Sequence, residues 1–224
     1  MGLGKPSGKL EYHISEDINL EGLKSHAKSL GIPIGELFCC AAVVAHSKLD
    51  LPAERKPDMF STQQAVSCHN APSDSEHFQL KNDVLGVSAV LKRANSLADA
   101  SKDVKDVWKT YKERPDLVQG IFKFVRILPV IVPYNAFQKM MKESKTKLNL
   151  AMSNMTCCLK KPWNLQGGQV DWVTILACSH SLPKISLVTH NQTVKLAISA
   201  DTGVFPESKQ LLDGMVAELL SHGK

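Results

Sequence analysis

The chain has 224 residues, of which 43% are hydrophobic and 22% are charged, a composition typical of a globular protein with its own core. The net charge is +5, and the lysines are scattered without interleaved aromatic residues, so the sequence carries no nucleic-acid recognition motif. The first residues lack the apolar core of a signal peptide, and no uninterrupted apolar run reaches the ~20 residues of a membrane span. We expect an intracellular protein, either cytoplasmic or peripherally associated with membranes or lipid.

Two consecutive helices are predicted near the N-terminus. Residues 1–10 contain little that can be buried and are expected to form a flexible lead to a single domain over 11–224. Asn19 can cap a first helix that has Leu20, Leu23, Ala27 and Leu30 on one face, and Gly31 ends it. Pro33 begins a second helix that is apolar around most of its circumference, so we predict that this helix is buried.

The middle of the chain alternates between strand and helix patterns. Strands are predicted over 59–66 and 84–91, and Ser96 with Asp99 resembles a capping box that opens another helix. The stretch 117–137 is apolar but is interrupted by basic residues and prolines. We interpret it as a kinked, packed helix, with contact to a membrane as the alternative.

The C-terminal third predicts strands followed by one helix. Alternation over 147–153 indicates a strand, and 164–177 is predicted to form another that is interrupted by a bulge or turn at Gly167-Gly168. A hairpin is predicted around 191–193. Pro206 opens a last helix with inward-facing residues Leu211, Leu212, Met215, Val216, Leu219 and Leu220. The order of elements predicts an α/β fold with a mixed β-sheet flanked by helices rather than a βαβ array.

This order resembles the C-terminal domain of the wax ester synthase/diacylglycerol acyltransferase family. That family shares a fold group with chloramphenicol acetyltransferase, carnitine acyltransferases and peptide-synthetase condensation domains. The resemblance depends on the opening helix pair, the strand that ends in Ser153-Asn154, and the strand, hairpin and helix over 169–220. It implies that the chain forms one lobe of a CoA-dependent acyltransferase-like fold.

The resemblance also implies a chemistry. Family members transfer a fatty acyl group from acyl-CoA to a long-chain alcohol or to diacylglycerol, and a histidine of the N-terminal lobe acts as general base. The His-His-x-x-x-Asp-Gly motif of that base does not occur in the 224 residues. We therefore expect the chain to be inactive alone, with no catalytic residue, no cofactor beyond acyl-CoA as substrate, and Ser153, Asn154 and Glu36 as candidates for lining the substrate channel.

Two departures from the family pattern favour an alternative function. Gly35-Glu36 stands where relatives usually carry Asn-Asp, and residues 155–158 replace the Val-Pro-Gly-Pro turn of relatives. The alternative is a non-catalytic protein that binds acyl-CoA, lipid or a partner subunit. Self-association would then use the face that would otherwise meet the missing lobe.

Several short patterns imitate active sites and are interpreted as structural. His13 and Asp17 have the spacing of part of the missing motif but lack its first histidine and its glycine. Six cysteines occur without a C-x-x-C pair, and no metal-ligand spacing is present, so we expect free thiols and no metal site. A cysteine-dependent hydrolase that uses Cys68 or Cys178, each with a histidine close by in the sequence, is the weakest of the three functional hypotheses.

Overall fold

We describe the protein from a computed structural model. The residues that it describes are 4–56, 58–67, 84–114, 116, 120, 123–124, 127–128, 130–145, 148–155, 164–165, 167–169, 171–172, 174–176, 179–190 and 192–221. The strands are β1 (Leu10–Ile14), β2 (Ile18–Asn19), β3 (Met59–Ser67), β4 (Val84–Lys92), β5 (Leu150–Met155), β6 (Asn164–Leu165), β7 (Gly168–Gln169), β8 (Lys184–His190) and β9 (Thr193–Asp201). The helices are α1 (Leu20–Ser29), α2 (Ile34–Lys48), α3 (Leu97–Glu113), α4 (Tyr134–Lys145) and α5 (Ser208–Leu220).

Seven strands form one mixed sheet, which confirms the predicted fold class. The strand order is β1-β9-β8-β5-β3-β4, and β2 also pairs with β9. The central strands β3, β5 and β8 are parallel, and the outer pairings are antiparallel. The short strands β6 and β7 pair only with each other.

Helix α2 lies at the centre of the core. Its residues from Glu36 to Ser47 are all buried, as the apolar circumference of the sequence predicts. Because side chains alternate along a strand, only one face of the sheet packs against the helices. That face contributes Phe60, Leu150, Ile185 and Leu196 to the single core cluster. The opposite face, which we call the outer face, is left without a helical layer over it among the described residues.

The predicted helix boundaries are largely confirmed. The Asn19 side chain accepts a hydrogen bond from the Gly22 N–H, and Gly31 follows α1 with a φ of 64°. Ser96 caps α3 by accepting from the Asp99 N–H. The last helix begins two residues after Pro206. Leu220 is exposed rather than inward, because it lies two turns after the exposed Asp213 on the same side of the helix.

Two predictions from apolar patterns differ from the structure. The interruption predicted at Gly167-Gly168 is present, since Gly167 has a φ of 87° and lies in the turn between β6 and β7, but the described residues 171–172 and 174–176 are not in the strand that the sequence predicts. Within the stretch 117–137, none of the described residues is buried, so the described part does not have the packing that the sequence predicts. In both cases the apolar composition did not reveal which surface the segment contacts.

Within the part of the chain that the structure describes, no single helix is long and apolar enough to cross a membrane. The pair α1 and α2 meets the length and composition criteria together, but the two helices are bent by 83° relative to each other.

The C-terminal end of α2 carries a buried histidine that makes stability depend on pH. The His46 ring lies 4.9 Å from the Phe60 ring and is stacked on Phe205 at 6.4 Å. Burial lowers the pKa of His46 to about 4, and the positive charges of Arg93 and Arg55 act in the same direction. Protonation of this ring in the folded state is therefore costly.

We expect the free energy of unfolding to decrease as the pH falls from about 6.5 to about 4, because the unfolded chain then binds a proton that folded His46 does not. This one group contributes about 3 kcal/mol over the whole interval. Urea unfolding at several pH values should show that His46→Leu has a flatter profile than the wild type. Equal slopes for the two proteins would contradict this assignment.

Candidate functional site

A cavity of about 290 Å³ lies on the outer face of the sheet. It is formed mainly by small and apolar residues of five strands and by the segment 174–176 above them. The lining residues are Gln63, Ala65, Gly86, Ala151, Met152, Ser153, Ile175, Leu176, Lys184, Ile185, Ser186, Ala197 and Ser199. Its size is at the lower end of the range of ligand pockets, about 300–1,000 Å³.

The small residues of the outer face create this space. Strand register places Ala151 beside Lys184 and Lys184 beside Ser199, and the next row contains Ser153, Ser186 and Ala197. Alanine and serine at these positions leave a depression that larger side chains would fill. Gly86 instead makes room for the Gln63 side chain, because a Cβ on this residue would lie 2.7 Å from the Gln63 Nε2 atom.

The segment above the sheet is held by two described contacts. The Ser186 hydroxyl donates a hydrogen bond to the Ile175 carbonyl. The Lys195 ammonium lies 5.0 Å from the centre of the Trp172 ring, which is within the range of a cation–π interaction. These contacts place Ile175 and Leu176 over the cavity and give it an apolar roof.

The three residues predicted to line a substrate channel are divided between the two faces of the sheet. Ser153 lines the cavity. Asn154, the next residue, faces the helical layer, where a Cβ on Gly35 would lie 2.8 Å from its Nδ2 atom. Glu36 is buried in the first turn of α2. The structure therefore brings Asn154 close to the start of α2 but places Ser153 on the opposite face, and the channel role of all three stays a prediction.

The contact between Gly35 and Asn154 is possible because this chain has Gly35-Glu36 where relatives usually carry Asn-Asp. Without a side chain at position 35, the Asn154 amide approaches the backbone of α2 directly. The Asn154 Oδ1 atom is buried and accepts no hydrogen bond from the described residues. The amide of strand β5 thus occupies space that an asparagine at position 35 would need.

The two cysteines beside Glu36 are not reactive thiols. Cys39 and Cys40 are free and fully buried in α2. Burial raises the pKa of Cys39 to about 12, although a hydrogen bond with the Gln64 side chain opposes the shift. Burial also raises the pKa of Cys40, and the neighbouring Cys39 adds to the increase. Both thiols stay protonated near neutral pH.

A buried carboxylate that sequence reasoning missed lies at the end of β9. Asp201 is 1% exposed, and it accepts hydrogen bonds from the Ser7 N–H at 2.7 Å, the Ser7 hydroxyl at 2.8 Å and the Gly8 N–H at 2.9 Å. The Gly203 N–H donates at 2.9 Å, and the Asp201 Oδ2 atom lies 3.0 Å from His180 Nδ1. Burial alone would raise the pKa of Asp201, but these hydrogen bonds lower it well below its usual range.

This carboxylate fixes the position of the chain ahead of β1. Besides the contacts to Ser7 and Gly8, the Gly4 N–H donates to the Val204 carbonyl at 3.1 Å. The division of the chain at residue 10, with a flexible lead before it, stays a prediction. Ser7 and Asp201 are 194 positions apart, so no local pattern in the sequence could have indicated their contact.

His180 is oriented by Asp201 next to the cavity. Asp201 follows Ser199 by two positions on the same face of β9, a spacing of about 7 Å. The His180 side chain is 53% exposed, so its other ring nitrogen can reach solvent. An imidazole that is oriented by a carboxylate can accept a proton. Asp201 itself accepts hydrogen bonds from five donors, so its clearer role is to anchor the chain ahead of β1.

The other short patterns do not assemble into a described site. Cys68 and Cys178 lie outside the described residues. His13 is 3.7 Å from Glu11, while Asp17 pairs with Lys195, so the sequence spacing of His13 and Asp17 does not bring them together. Among the described residues, no group of three or more histidine, cysteine or acidic side chains could hold a metal ion.

We expect Asp201→Asn to lower the urea midpoint at pH 7, because an amide can accept with only one of its two terminal atoms and its NH₂ group would face N–H donors. His180→Gln should have a smaller effect, since its side chain is half exposed. The folded-state pKa of Asp201 is lowered, so its contribution is present above the unfolded pKa of about 3.9 and is lost as the pH falls below it.

The matched control for this prediction is Asp213→Asn, which removes an exposed carboxylate paired with Lys209 on α5. The control should leave the midpoint nearly unchanged. A midpoint for Asp201→Asn as high as that of the control would contradict the anchoring role.

Comparison with known proteins identifies the class of this fold. The sequence model of the WS/DGAT C-terminal domain matches residues 91–221, which is more than half of the chain. The wax ester synthase/diacylglycerol acyltransferase from Marinobacter aquaeolei VT8 superposes with a TM-score of 0.62 at 11% identity, over 97% of this chain and 49% of that one. No curated protein has a significantly similar sequence.

Two further solved structures show how widely the fold is used. The trichothecene 15-O-acetyltransferase from Fusarium sporotrichioides has a TM-score of 0.64 and 14% identity, over 98% of this chain and 48% of that one. The epimerization domain of tyrocidine synthetase B has a TM-score of 0.56 and 9% identity, over 99% of this chain and 49% of that one. The chain spans about half the length of these proteins.

The fold is therefore that of one lobe of the acyltransferase and condensation-domain group. The chain belongs to the WS/DGAT C-terminal domain family.

Proposed function

We propose that the chain provides the acyl-binding wall of a fatty acyltransferase site. On this proposal the full site transfers an acyl group from acyl-CoA to diacylglycerol or a long-chain alcohol, and forms triacylglycerol or wax ester. The observation that supports it is the cavity on the outer face, with Ser153 in its lining. An acyl chain suits a pocket that is lined by alanine, isoleucine and leucine and has few polar groups.

The polar lining residues suit the two ends of such a ligand. Ser153 lies beside Ser186 across strands β5 and β8, and its hydroxyl can donate to an acyl carbonyl, whereas the Ser186 hydroxyl already donates to the Ile175 carbonyl. Lys184 lies one row further along the sheet, next to Ser199. A positive charge at that end suits an anionic group such as a CoA phosphate.

The proposal includes no catalytic residue from this chain. Acyl transfer to an alcohol requires a base that takes the hydroxyl proton while the oxygen attacks the thioester carbonyl, and the thiol of CoA then leaves. The His-His-x-x-x-Asp-Gly motif that supplies this base in the family is absent from the 224 residues. The chain alone is therefore a binding lobe without turnover.

A second candidate is a non-catalytic protein that binds acyl-CoA, lipid or a partner subunit. The contact between Asn154 and Gly35 favours it, because this contact replaces the Asn-Asp arrangement of relatives at the start of α2. The same cavity would then serve for binding only. Both candidates predict that the isolated chain binds without turnover. They differ when the histidine-containing half is added, because only the transferase then forms ester.

We expect the purified chain to bind palmitoyl-CoA more tightly than CoA, since the cavity accepts the acyl group. Ala151→Leu should weaken palmitoyl-CoA binding about tenfold in calorimetry, because the larger side chain fills the middle of the cavity. Ala217→Leu, on the exposed face of α5, is the matched control and should change the affinity less than twofold. Equal affinities for the two variants would exclude this cavity as the acyl site.

We expect no release of CoA when the isolated chain is incubated with palmitoyl-CoA and either hexadecanol or diacylglycerol, because the base is absent. An active family enzyme assayed in parallel controls for substrate presentation. Turnover by the chain alone would overturn this part of the proposal. If ester forms only when a histidine-containing N-terminal lobe is added, the transferase is favoured over the non-catalytic alternative.

A further inference from the structure

Among the described residues, a group of exposed large apolar side chains lies between α3 and β5. We call residues 120–147 the basic arm; within it the structure describes 120, 123–124, 127–128 and 130–145. Five large apolar side chains in 11 positions are more than half exposed, and Val130 reaches 84%. They are Phe124, Ile127, Val130, Ile131 and Tyr134. No side chain described between 120 and 140 is buried, and Leu128, Val132 and Phe137 are half-buried.

The exposed apolar residues follow a helical period. Residues 123–124, 127–128 and 130–131 are helical, and the Val132 N–H donates to the Leu128 carbonyl at 3.0 Å. Phe124, Ile127 and Ile131 are spaced by three and four positions, which is the spacing of residues on one side of a helix. Pro133 precedes the start of α4, which continues the arm from Tyr134 to Lys145.

The net positive charge of the protein is concentrated in the same stretch. Residues 120–147 contain six basic residues and one acidic residue, Glu143. The whole chain has 27 basic and 22 acidic residues, so the arm accounts for the entire net charge of +5 and the remainder is neutral. Among the described side chains, Lys123 and Lys139 are exposed.

We propose that the basic arm docks on the surface of a membrane that contains anionic lipid. Exposed aromatic and aliphatic side chains on a helix rich in lysine have the composition of helices that lie in the interfacial region of a bilayer. The apolar side chains would enter the boundary of the acyl chains, and the lysines would lie among the headgroups. This inference does not depend on the proposed cavity function.

The charge favours lipid over a protein partner as the occupant of this surface. The centre of a protein interface is depleted in lysine, because an ammonium group without an acidic partner is costly to bury. Here the apolar residues are accompanied by five lysines and one arginine, with a single acidic residue within the arm. A second copy of the chain would bring the same excess of positive charge and would be repelled.

The test is vesicle flotation of the full chain. Neutral phosphatidylcholine vesicles are compared with vesicles that contain about 30% phosphatidylserine. We expect binding to the anionic vesicles, and we expect it to weaken when the salt is raised from about 0.05 to about 0.5 M, since salt screens charges at a surface. Lack of binding to the anionic vesicles at low salt would overturn the proposal.

Two pairs of variants separate the contributions of charge and apolar surface. Lys123→Gln with Lys139→Gln should lower the partition coefficient on anionic vesicles about 25-fold, at about fivefold for each charge. Lys28→Gln with Lys92→Gln, two exposed lysines outside the arm, should change it less than twofold. Ile127→Ser with Ile131→Ser should lower it at least tenfold, whereas Met59→Ser with Val90→Ser, also exposed, should not.

Circular dichroism of each variant checks that the fold is retained. We expect it to be retained, because the substituted positions are exposed. If the arm variants bind anionic vesicles as well as their controls do, the arm is not the docking surface. If the wild type instead dimerises in analytical ultracentrifugation, does not bind vesicles, and becomes monomeric when the arm is changed, the surface is a protein interface and the proposal is wrong.

Discussion

The burial of α2 against one face of the sheet is the constraint on which the rest of the structure depends. A helix that is apolar around its circumference needs neighbours on all sides, and α3, α5 and the sheet supply them. This uses one face of every central strand. Since side chains alternate, the same strands present a second set of residues on the outer face, and these are small or polar: Ala151, Ser153, Ser186, Ala197 and Ser199. The cavity is the consequence.

The alternation also explains why neighbours in the sequence have different roles. Ser153 and Asn154 form a pair in the sequence, yet one lines the cavity and the other contacts Gly35 on α2. A functional change at Ser153 would alter the ligand-facing surface, whereas a change at Asn154 would act through the position of α2. Relatives that keep both residues need not keep them for the same reason.

Three parts of the surface have different physical characters. The outer face holds an apolar cavity, the end of β9 holds an ionised carboxylate that ties residues 7–8 to the sheet, and the basic arm combines exposed apolar side chains with the net charge of the chain. Acyl-CoA and its lipid acceptors are amphipathic molecules. On the two proposals above, the cavity would bind the acyl group and the basic arm would hold the lobe at the membrane surface where these molecules are located.

The sequence by itself determined the ends of several helices and most of the longer strands, because caps, glycine and proline boundaries and apolar periods are local. The order of these elements carried the resemblance to the family. Asn19, Gly31 and Ser96 mark helix ends that the structure confirms. Only the tertiary structure decided the location of the cavity, the contact of Ser7 with Asp201 across 194 positions, and the exposure of the basic arm. An apolar pattern indicates that a segment prefers to leave water. Which surface removes it from water is set by residues far away in the chain, and Phe124, Val130 and Tyr134 of the basic arm stay more than half exposed.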